Sequence, residues 1–466
     1  MYLPVKFVNS LRHGWYIMVI MQDSADELRV KNPGVDAIRR THYAVWILLA
    51  GVLTNFGCIG LGRFAIGMII PEMGRGLSLT NTQIGIIVSG TFLGYLMSTV
   101  LSGALATRFG ARKVIAVSMS TVAVAMVVAG MAVNFWMALF GQLLVGIGAG
   151  GGNVPAVALV SRWYAQEFRG TASGIALTGS GLGFAITGIF IPYMLGIYGG
   201  AGWRASWFYL SAVVFLIGFF GVLVFRNSPE EVGLRPFGSF DNSDKDSSTS
   251  IDKTLKTTGK SNKGQMHWRD IYLSKALWEL GFIYLMFGFS YVVFTTFFAK
   301  YLIEEIGFTQ GSAGQLWSAV GILSIASGFI WGILSDKIGR RNALFIVYSL
   351  QGLCLLMLAF INSPVAIATV SLLYSLTLWS IPSIMAATCA DYVGGVFASA
   401  ALGMITIFFG VGQVMSPWIS GYIKDMTHSF AIPFMASGVA SFIGALLTAL
   451  LPKRGVHEPE SAVQGL

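Results

Sequence analysis

A single cation interrupts an otherwise apolar stretch. Arg63 lies inside the run Tyr43–Pro71, eight residues before Pro71. At 1.5 Å rise per helical residue, that is about 12 Å from the end of the run, too deep for the side chain to reach the interface. A guanidinium at such depth costs about 3 kcal/mol on insertion scales, so it normally faces an aqueous cavity and meets an anion. The sequence supplies no obvious internal anion. Glu72, Glu279, Glu304 and Asp391 fall near the ends of apolar runs, and the five histidines lie outside the run centres. Arg63 is therefore expected to bind an anionic solute. The alternative is an arginine held by carbonyls or a carboxylate of a neighbouring helix. If the solute carries a carboxylate, its neutralisation by Arg63, or its entry with a proton, is the simplest route to proton coupling. Facilitated diffusion and anion exchange remain open beside it.

A second set of residues could complete such a site. Tyr284, Gly288, Tyr291 and Thr295 are spaced i, i+4, i+7, i+11 and fall on one helical stripe. Two phenols and a small residue on one face suit a polar ligand held against an aromatic wall, or equally well ordinary helix packing. Asn55, Gln142, Asn153, Trp379 and Gln413 are further polar or aromatic candidates in apolar runs. Catalytic chemistry is not indicated: no paired acids, nucleophile motif, zinc spacing or phosphate loop occurs. The glycines of 146–152 lie within an apolar helix and lack the lysine that a phosphate loop needs. Cys58, Cys354 and Cys389 are odd in number, far apart and embedded in apolar runs, so they read as small core residues rather than a metal or disulfide set. No enzyme, cofactor or metal is expected.

The elements that must position these residues are membrane helices. A mean hydropathy of +0.71 and only 11% charged residues are far from a soluble domain, where charged residues make up about 25%. From residue 43 onward, apolar runs of bilayer-crossing length recur. They fall near 43–71, 83–106, 112–133, 136–164, 168–197 and 203–225, and then near 275–303, 312–335, 342–361, 364–390, 397–423 and 430–451. The fold class is thus all-α, with twelve transmembrane helices in two six-helix bundles at 43–226 and 273–452. Residues 1–42 read as a disordered cytoplasmic extension, with Met21 an alternative start. Residues 227–272 read as a flexible linker, and 453–466 as a tail. The net charge of +9 could suggest nucleic acid, but the placement of the charges decides against it. With the N-terminus inside, 25 of the 30 Lys and Arg residues fall in the tails and in loops on one side of the membrane. Both termini are therefore expected to be cytoplasmic.

The two bundles are expected to be pseudo-symmetric. The loop Gly103-Ala-Leu-Ala-Thr-Arg-Phe-Gly-Ala-Arg-Lys113 aligns without a gap with Gly332-Ile-Leu-Ser-Asp-Lys-Ile-Gly-Arg-Arg-Asn342, 229 positions later, and Gly174 and Gly403 share that offset. Two landmarks with one spacing argue for duplication, and matched membrane bundles are most often built for alternating access. Glycine rows recur as well: Gly85, Gly90, Gly94 and Gly103; Gly170, Gly174, Gly181 and Gly188, with Gly179 and Gly183 alongside; and Gly314, Gly321, Gly328 and Gly332. They would let backbones approach closely.

These loops, the twelve runs and the central polar gap resemble the major facilitator superfamily over almost all of residues 43–452. The second loop matches the family's G-x-L-(A/S)-D-R-x-G-R-R pattern closely, and the first is degenerate. The segments 60–73 and 228–236 look like bacterial members near the monocarboxylate and oxalate/formate porters. The Gly-Pro motif of drug antiporters is missing from 170–192. The resemblance implies that spans 1, 4, 7 and 10 line a central cavity, which puts Arg63 on a cavity helix. It also implies that spans 2 and 11, and 5 and 8, meet across the halves. Loop charges would bond helix ends in one gate state, so Arg108, Arg112, Arg162, Asp336, Arg340 and Asp391 become gating candidates. Arg340 is expected to pair with Asp391. Asp336 is expected to meet Arg162 or Arg108 when the cytoplasmic side closes, unless these charges are only anchors and caps. The reading is a monomeric plasma-membrane carrier of a small organic anion, a monocarboxylate, moved by alternating access and linked to protons. The alternatives are an exporter of sugars or hydrophobic compounds with Arg63 structural, or a sensor on the same fold.

Overall fold

The computed structural model describes residues 42–239, 274–393 and 397–451. The expected N-terminal extension up to residue 41, most of the linker, and the tail lie outside the described residues. What is described is helical, apart from one isolated bridge between Tyr164 and Phe237. The helices are α1 (Tyr43–Gly76), α2 (Asn81–Phe109), α3 (Ala111–Gly130), α4 (Phe135–Arg162), α5 (Arg169–Tyr198) and α6 (Gly202–Val224). Then follow α7 (Lys275–Glu304), α8 (Gln310–Ile338), α9 (Arg340–Phe360), α10 (Pro364–Val393), α11 (Ala398–Thr427) and α12 (Ala431–Leu450). Eleven stretches among the described residues are long and apolar enough to span a bilayer, counting 169–224 as one. That stretch is broken by a short turn at Gly199–Ala201, where Gly199 takes a φ of +54°.

The internal repeat is visible in the backbone. Gly110 and Gly339, the second glycines of the two aligned loops, both have φ +86° and separate one helix from the next. A side chain at this φ is strained, which accounts for glycine at both places.

Two helices depart from regular α geometry, and neither departure was expected. In α1, Phe56–Phe64 forms a π-helical segment around Arg63. Here the helix crosses α5 at backbone contact: a Cβ on Gly60 would lie 2.6 Å from the Cα of Gly183. In α10, the helix stops at Ser375 and restarts at Ser380. Backbone groups freed within a bilayer must find partners inside the protein, and neighbouring helices supply them. The indole N–H of Trp331 donates to the Leu376 carbonyl (3.0 Å), the Gln351 amide to the Thr377 carbonyl (2.8 Å), and the Trp379 N–H to the Ser327 hydroxyl (3.0 Å).

The first part of the expected linker is docked rather than free. The Trp163 indole donates to the Arg226 carbonyl, the backbone of Phe237 bonds to Trp163 and Ala165, and the Phe237 ring meets His42, Tyr164 and Phe168.

The first-half helices meet the second-half helices along three seams: α2 with α11, α5 with α8, and α1 with α7. Glycines make the first two seams tight at one end. A Cβ on Gly85 would lie 2.2 Å from the Pro417 carbonyl oxygen, one on Gly421 would lie 2.1 Å from that of Asn81, and one on Gly314 would lie 2.0 Å from that of Gly188. At the other end Gly103, Gly403, Gly170 and Gly174 have no such neighbour within 4 Å among the described residues. The close glycine contacts between the halves thus lie at the end carrying Asp425, and these four glycines at the end carrying Arg340 make none among the described residues. The glycine rows divide accordingly. Gly90 and Gly94 pack inside the first half on α4, and Gly179 and Gly183 on α1, while Gly181 and Gly188 face α8.

Candidate functional site

Arg63 projects from the π segment of α1 into the junction of the halves and is 7% exposed. Its guanidinium carbon lies over two aromatic rings of α2, Phe92 and Tyr95, each 4.4 Å away. One terminal nitrogen donates to the Tyr291 hydroxyl at 2.9 Å, bonding first half to second. Gln413 of α11 donates to the same hydroxyl. The Nε of Arg63 is buried without a hydrogen-bond partner, and among the described residues no carboxylate comes within ion-pair distance of the guanidinium. The cation is therefore held by π-faces and one neutral phenol, with a donor to spare.

Around it the aromatic residues form a wall. Tyr284, Phe287 and Tyr291 of α7, together with Phe409 of α11, present nearly parallel rings. Tyr284 stacks on Phe409 at 4.4 Å and 12°, and Phe287 on Tyr291 at 4.8 Å and 18°. Gly288 makes this possible, because a Cβ there would lie 2.3 Å from the Phe409 carbonyl oxygen. Trp379 closes another side, its ring 5.8 Å from Tyr291 and 5.5 Å from Phe64. The α10 break sets its position, and its indole N–H donates to Ser324.

The sequence-derived candidates divide into three groups. Arg63, Tyr291 and Gln413 bond directly, and Tyr284 and Trp379 belong to the surrounding wall. Asn55 and Asn153 form a chain that reaches the guanidinium indirectly: Asn153 donates to Asn55, Tyr95 donates to Asn153 (3.3 Å), and the Tyr95 ring covers Arg63. Gln142 and Thr295 stand apart. The Gln142 side chain accepts a bond from Thr91 where α4 packs on α2, and the Thr295 hydroxyl bonds to carbonyls of its own helix. Phe92, Tyr95 and Phe409 were not singled out from the sequence. Aromatic residues in apolar helices carry no distinguishing signal until their neighbours are known.

At the Arg340 end, Arg340 bonds Asp391 (3.2 Å), Asp336 (2.5 Å) and the Ser335 hydroxyl (2.5 Å), so Asp336 is committed within its own half. Arg112 donates to the Val222 carbonyl, Arg108 lies over the Phe109 ring, and the charge of Arg162 reaches Glu230. Hydrogen bonding from Ser228 is the main cause holding the Glu230 carboxyl below its usual range, with Arg162 contributing less.

At the opposite end are contacts the sequence did not reveal. Asp425 of α11 accepts four bonds from the start of α2: at Oδ1 from the Asn81 backbone (3.0 Å) and side-chain amide (2.9 Å), and at Oδ2 from the Thr82 backbone (2.7 Å) and hydroxyl (2.5 Å). Glu72 of α1 accepts a bond from Gln310 of α8 (2.6 Å). Lys300 and Lys424 are buried against Glu304 and Glu305.

A helical membrane protein whose halves share one repeated loop and meet around a buried cation is built as a transporter. Residues 52–399 match the Major Facilitator Superfamily, and the chain belongs to that family. It is 27% identical over 86% of its length to a Cupriavidus necator protein named "Probable sulfoacetate transporter", covering 92% of that relative. It is 24% identical over 85% of its length to the hexuronate transporter of Bacillus subtilis, covering 91% of it. Among solved structures, it resembles a bacterial homologue of the human lysosomal transporter Spinster in an inward-facing, unoccupied conformation. That match has a TM-score of 0.67 at 15% identity, over 89% of this chain and 96% of that one.

Proposed function

We propose that the protein is a secondary active carrier that moves a small monocarboxylate across a bacterial-type plasma membrane by alternating access, linked to protons. The observation that carries this reading is Arg63, a buried cation on the seam between the halves that has an unpartnered Nε and, among the described residues, no carboxylate within ion-pair distance. A carboxylate accepts bidentate bonds from a guanidinium edge, and such charge-assisted bonds are about twice as strong as neutral ones. The named substrates of the two relatives, sulfoacetate and a hexuronate, each carry a carboxylate.

In this reading 169–224 crosses the membrane twice, giving twelve spans in two pseudo-symmetric bundles, 43–226 and 273–452. Both termini and the Arg340 end are cytoplasmic, and the monomer is the working unit. The lack of close glycine contacts at that end supports an inward-open state. The substrate meets Arg63, with Tyr291, Gln413, Tyr284 and Trp379 around it and Asn55 and Asn153 behind. Closure of the cytoplasmic side brings Asp336 toward Arg162 or Arg108, with Arg112, Arg340 and Asp391 fixing the helix ends.

The test is uptake of radiolabelled carboxylates, sugars and amines into proteoliposomes, with and without a pH gradient. Saturable, gradient-stimulated uptake confined to carboxylates is expected. Arg63→Gln should abolish it while the purified protein keeps its elution profile. Undiminished carboxylate uptake by that variant refutes the assignment.

A further inference from the structure

The surroundings of Arg63 are selective as well as cationic. The Phe92 and Tyr95 rings each lie 4.4 Å from its guanidinium carbon, while Nε has no partner, so the nitrogen edge is where an anion would bond. Tyr291, bonded to the guanidinium, carries the rings of Trp379, Phe287 and Phe409 against it, with Tyr284 stacked on Phe409. Part of the hydrogen-bonding capacity is already used: the Gln413 amide N–H donates to Tyr291, and the two asparagines bond to one another and to Tyr95. A polyhydroxylated acid entering here would leave hydroxyls unpaired, at the desolvation cost of each unsatisfied group. A flat apolar body loses nothing of that kind, and ring-on-ring contact adds to what area burial gives.

We infer that the preferred solute is an aryl monocarboxylate of about the size of benzoate, its carboxylate on the edge of Arg63 and its ring against the wall formed by Tyr284, Tyr291 and Phe409. This rests on the reading of Arg63 as the anion site. The polar groups that could read out a sugar acid are largely bonded to one another, so the preference should separate this chain from a hexuronate carrier.

The test is calorimetric binding to the full chain in nanodiscs, which avoids passive leakage of aromatic acids through lipid. The probes are benzoate, pyruvate, glucuronate and the neutral isostere benzamide. Benzoate is expected to bind at least tenfold more tightly than pyruvate and about a hundredfold more tightly than glucuronate, with benzamide weaker than benzoate by tenfold or more. In Phe409→Leu, checked for folding by its melting curve, the benzoate-to-pyruvate ratio should fall toward one. Glucuronate or pyruvate binding as tightly as benzoate, with that binding lost in Arg63→Gln, overturns the aryl preference and leaves the anion site standing. Benzamide binding as tightly as benzoate, or binding of any acid unaffected by Arg63→Gln, overturns both.

Discussion

Asp425 offers the sharpest test of how the halves are held at one end. Four backbone N–H groups at the start of any α-helix lack intrahelical partners. In α2, Thr80 accepts the bond from Gln83 in a capping box, leaving Asn81 and Thr82 unserved. Asp425 takes both of these N–H groups, and the two side chains as well, from the opposite half. Asn at 425 keeps the shape, but it removes the charge and turns one oxygen into a donor that faces donors. A hydrogen bond to a charged group contributes about 1.5–3 kcal/mol, and a carboxylate at a helix N-terminus about 0.3–1 kcal/mol. The site is partly exposed, and the released α2 groups regain water, so a net loss of about 2 kcal/mol is the appropriate figure. At 1.4 kcal/mol per tenfold, the population opened at this end should rise about 30-fold. Ser89 is one turn from Gly85 on α2 and buried, so Ser89→Cys reports the opening through its rate of reaction with a membrane-impermeant maleimide. Asp425→Asn should accelerate that labelling about 30-fold, with little change in melting temperature. An unchanged rate would refute the claim that this cap holds the seam.

Other consequences are more local. Gly60→Val should abolish recovery of folded protein by size-exclusion chromatography, since even a Cβ would meet the Gly183 backbone at 2.6 Å, whereas Gly103→Ala, with nothing within 4 Å, should elute as wild type. His42 caps α1 through Nδ1, accepting from the Ala44 N–H (3.2 Å), and burial lowers its pKa from the ordinary 6.5. The folded state therefore binds fewer protons than the unfolded one, so this contribution is intact above about pH 6.5 and is lost as pH falls below it, by up to about 1 kcal/mol, the usual worth of a cap. Melting curves at pH 8 and pH 5 should show a larger acid loss in wild type than in His42→Asn, which caps without titrating.

How much of this was legible follows the physics of each signal. The spans, the repeat and Arg63 are written in hydropathy and charge, which need no neighbour to be read. The π segment and the α10 break are written in contacts. Gly60 permits the first only because Gly183 lies opposite, and Ser327, Gln351 and Trp331 satisfy the second from other helices. The residues Leu376–Trp379 contain neither Gly nor Pro to announce a stop. Asp425 was equally silent: a carboxylate near a helix end is ordinary until the N-terminus it caps, 344 residues earlier in the chain, is known. On α7, Tyr284, Gly288 and Tyr291 all meet Phe409, but the periodicity of the stripe could not show that Thr295 would turn back on its own helix.

Arg63 also shows why burial of a charge does not by itself imply a guest. Insertion of a mid-span arginine costs about 3 kcal/mol. Two desolvated cation–π contacts return about 2 kcal/mol each, and the bond to Tyr291 about 1 kcal/mol, so the resting protein holds the cation without help. What marks a binding site is the quality of that holding: a neutral phenol where an anion would bond more strongly, and Nε unserved. A carboxylate guest would displace the Tyr291 hydroxyl from the guanidinium, so Tyr291 competes with the substrate in the resting state. Removing the hydroxyl by Tyr291→Phe takes away that competitor and strands the donors of Arg63 and Gln413 until a carboxylate arrives. The variant should therefore melt lower than wild type yet bind its carboxylate about fivefold more tightly, the equivalent of one neutral hydrogen bond of about 1 kcal/mol. Titration of wild type and variant with the same carboxylate decides it. Weaker binding by Tyr291→Phe would mean that the phenol holds the guest alongside Arg63, and the competition argument would fail.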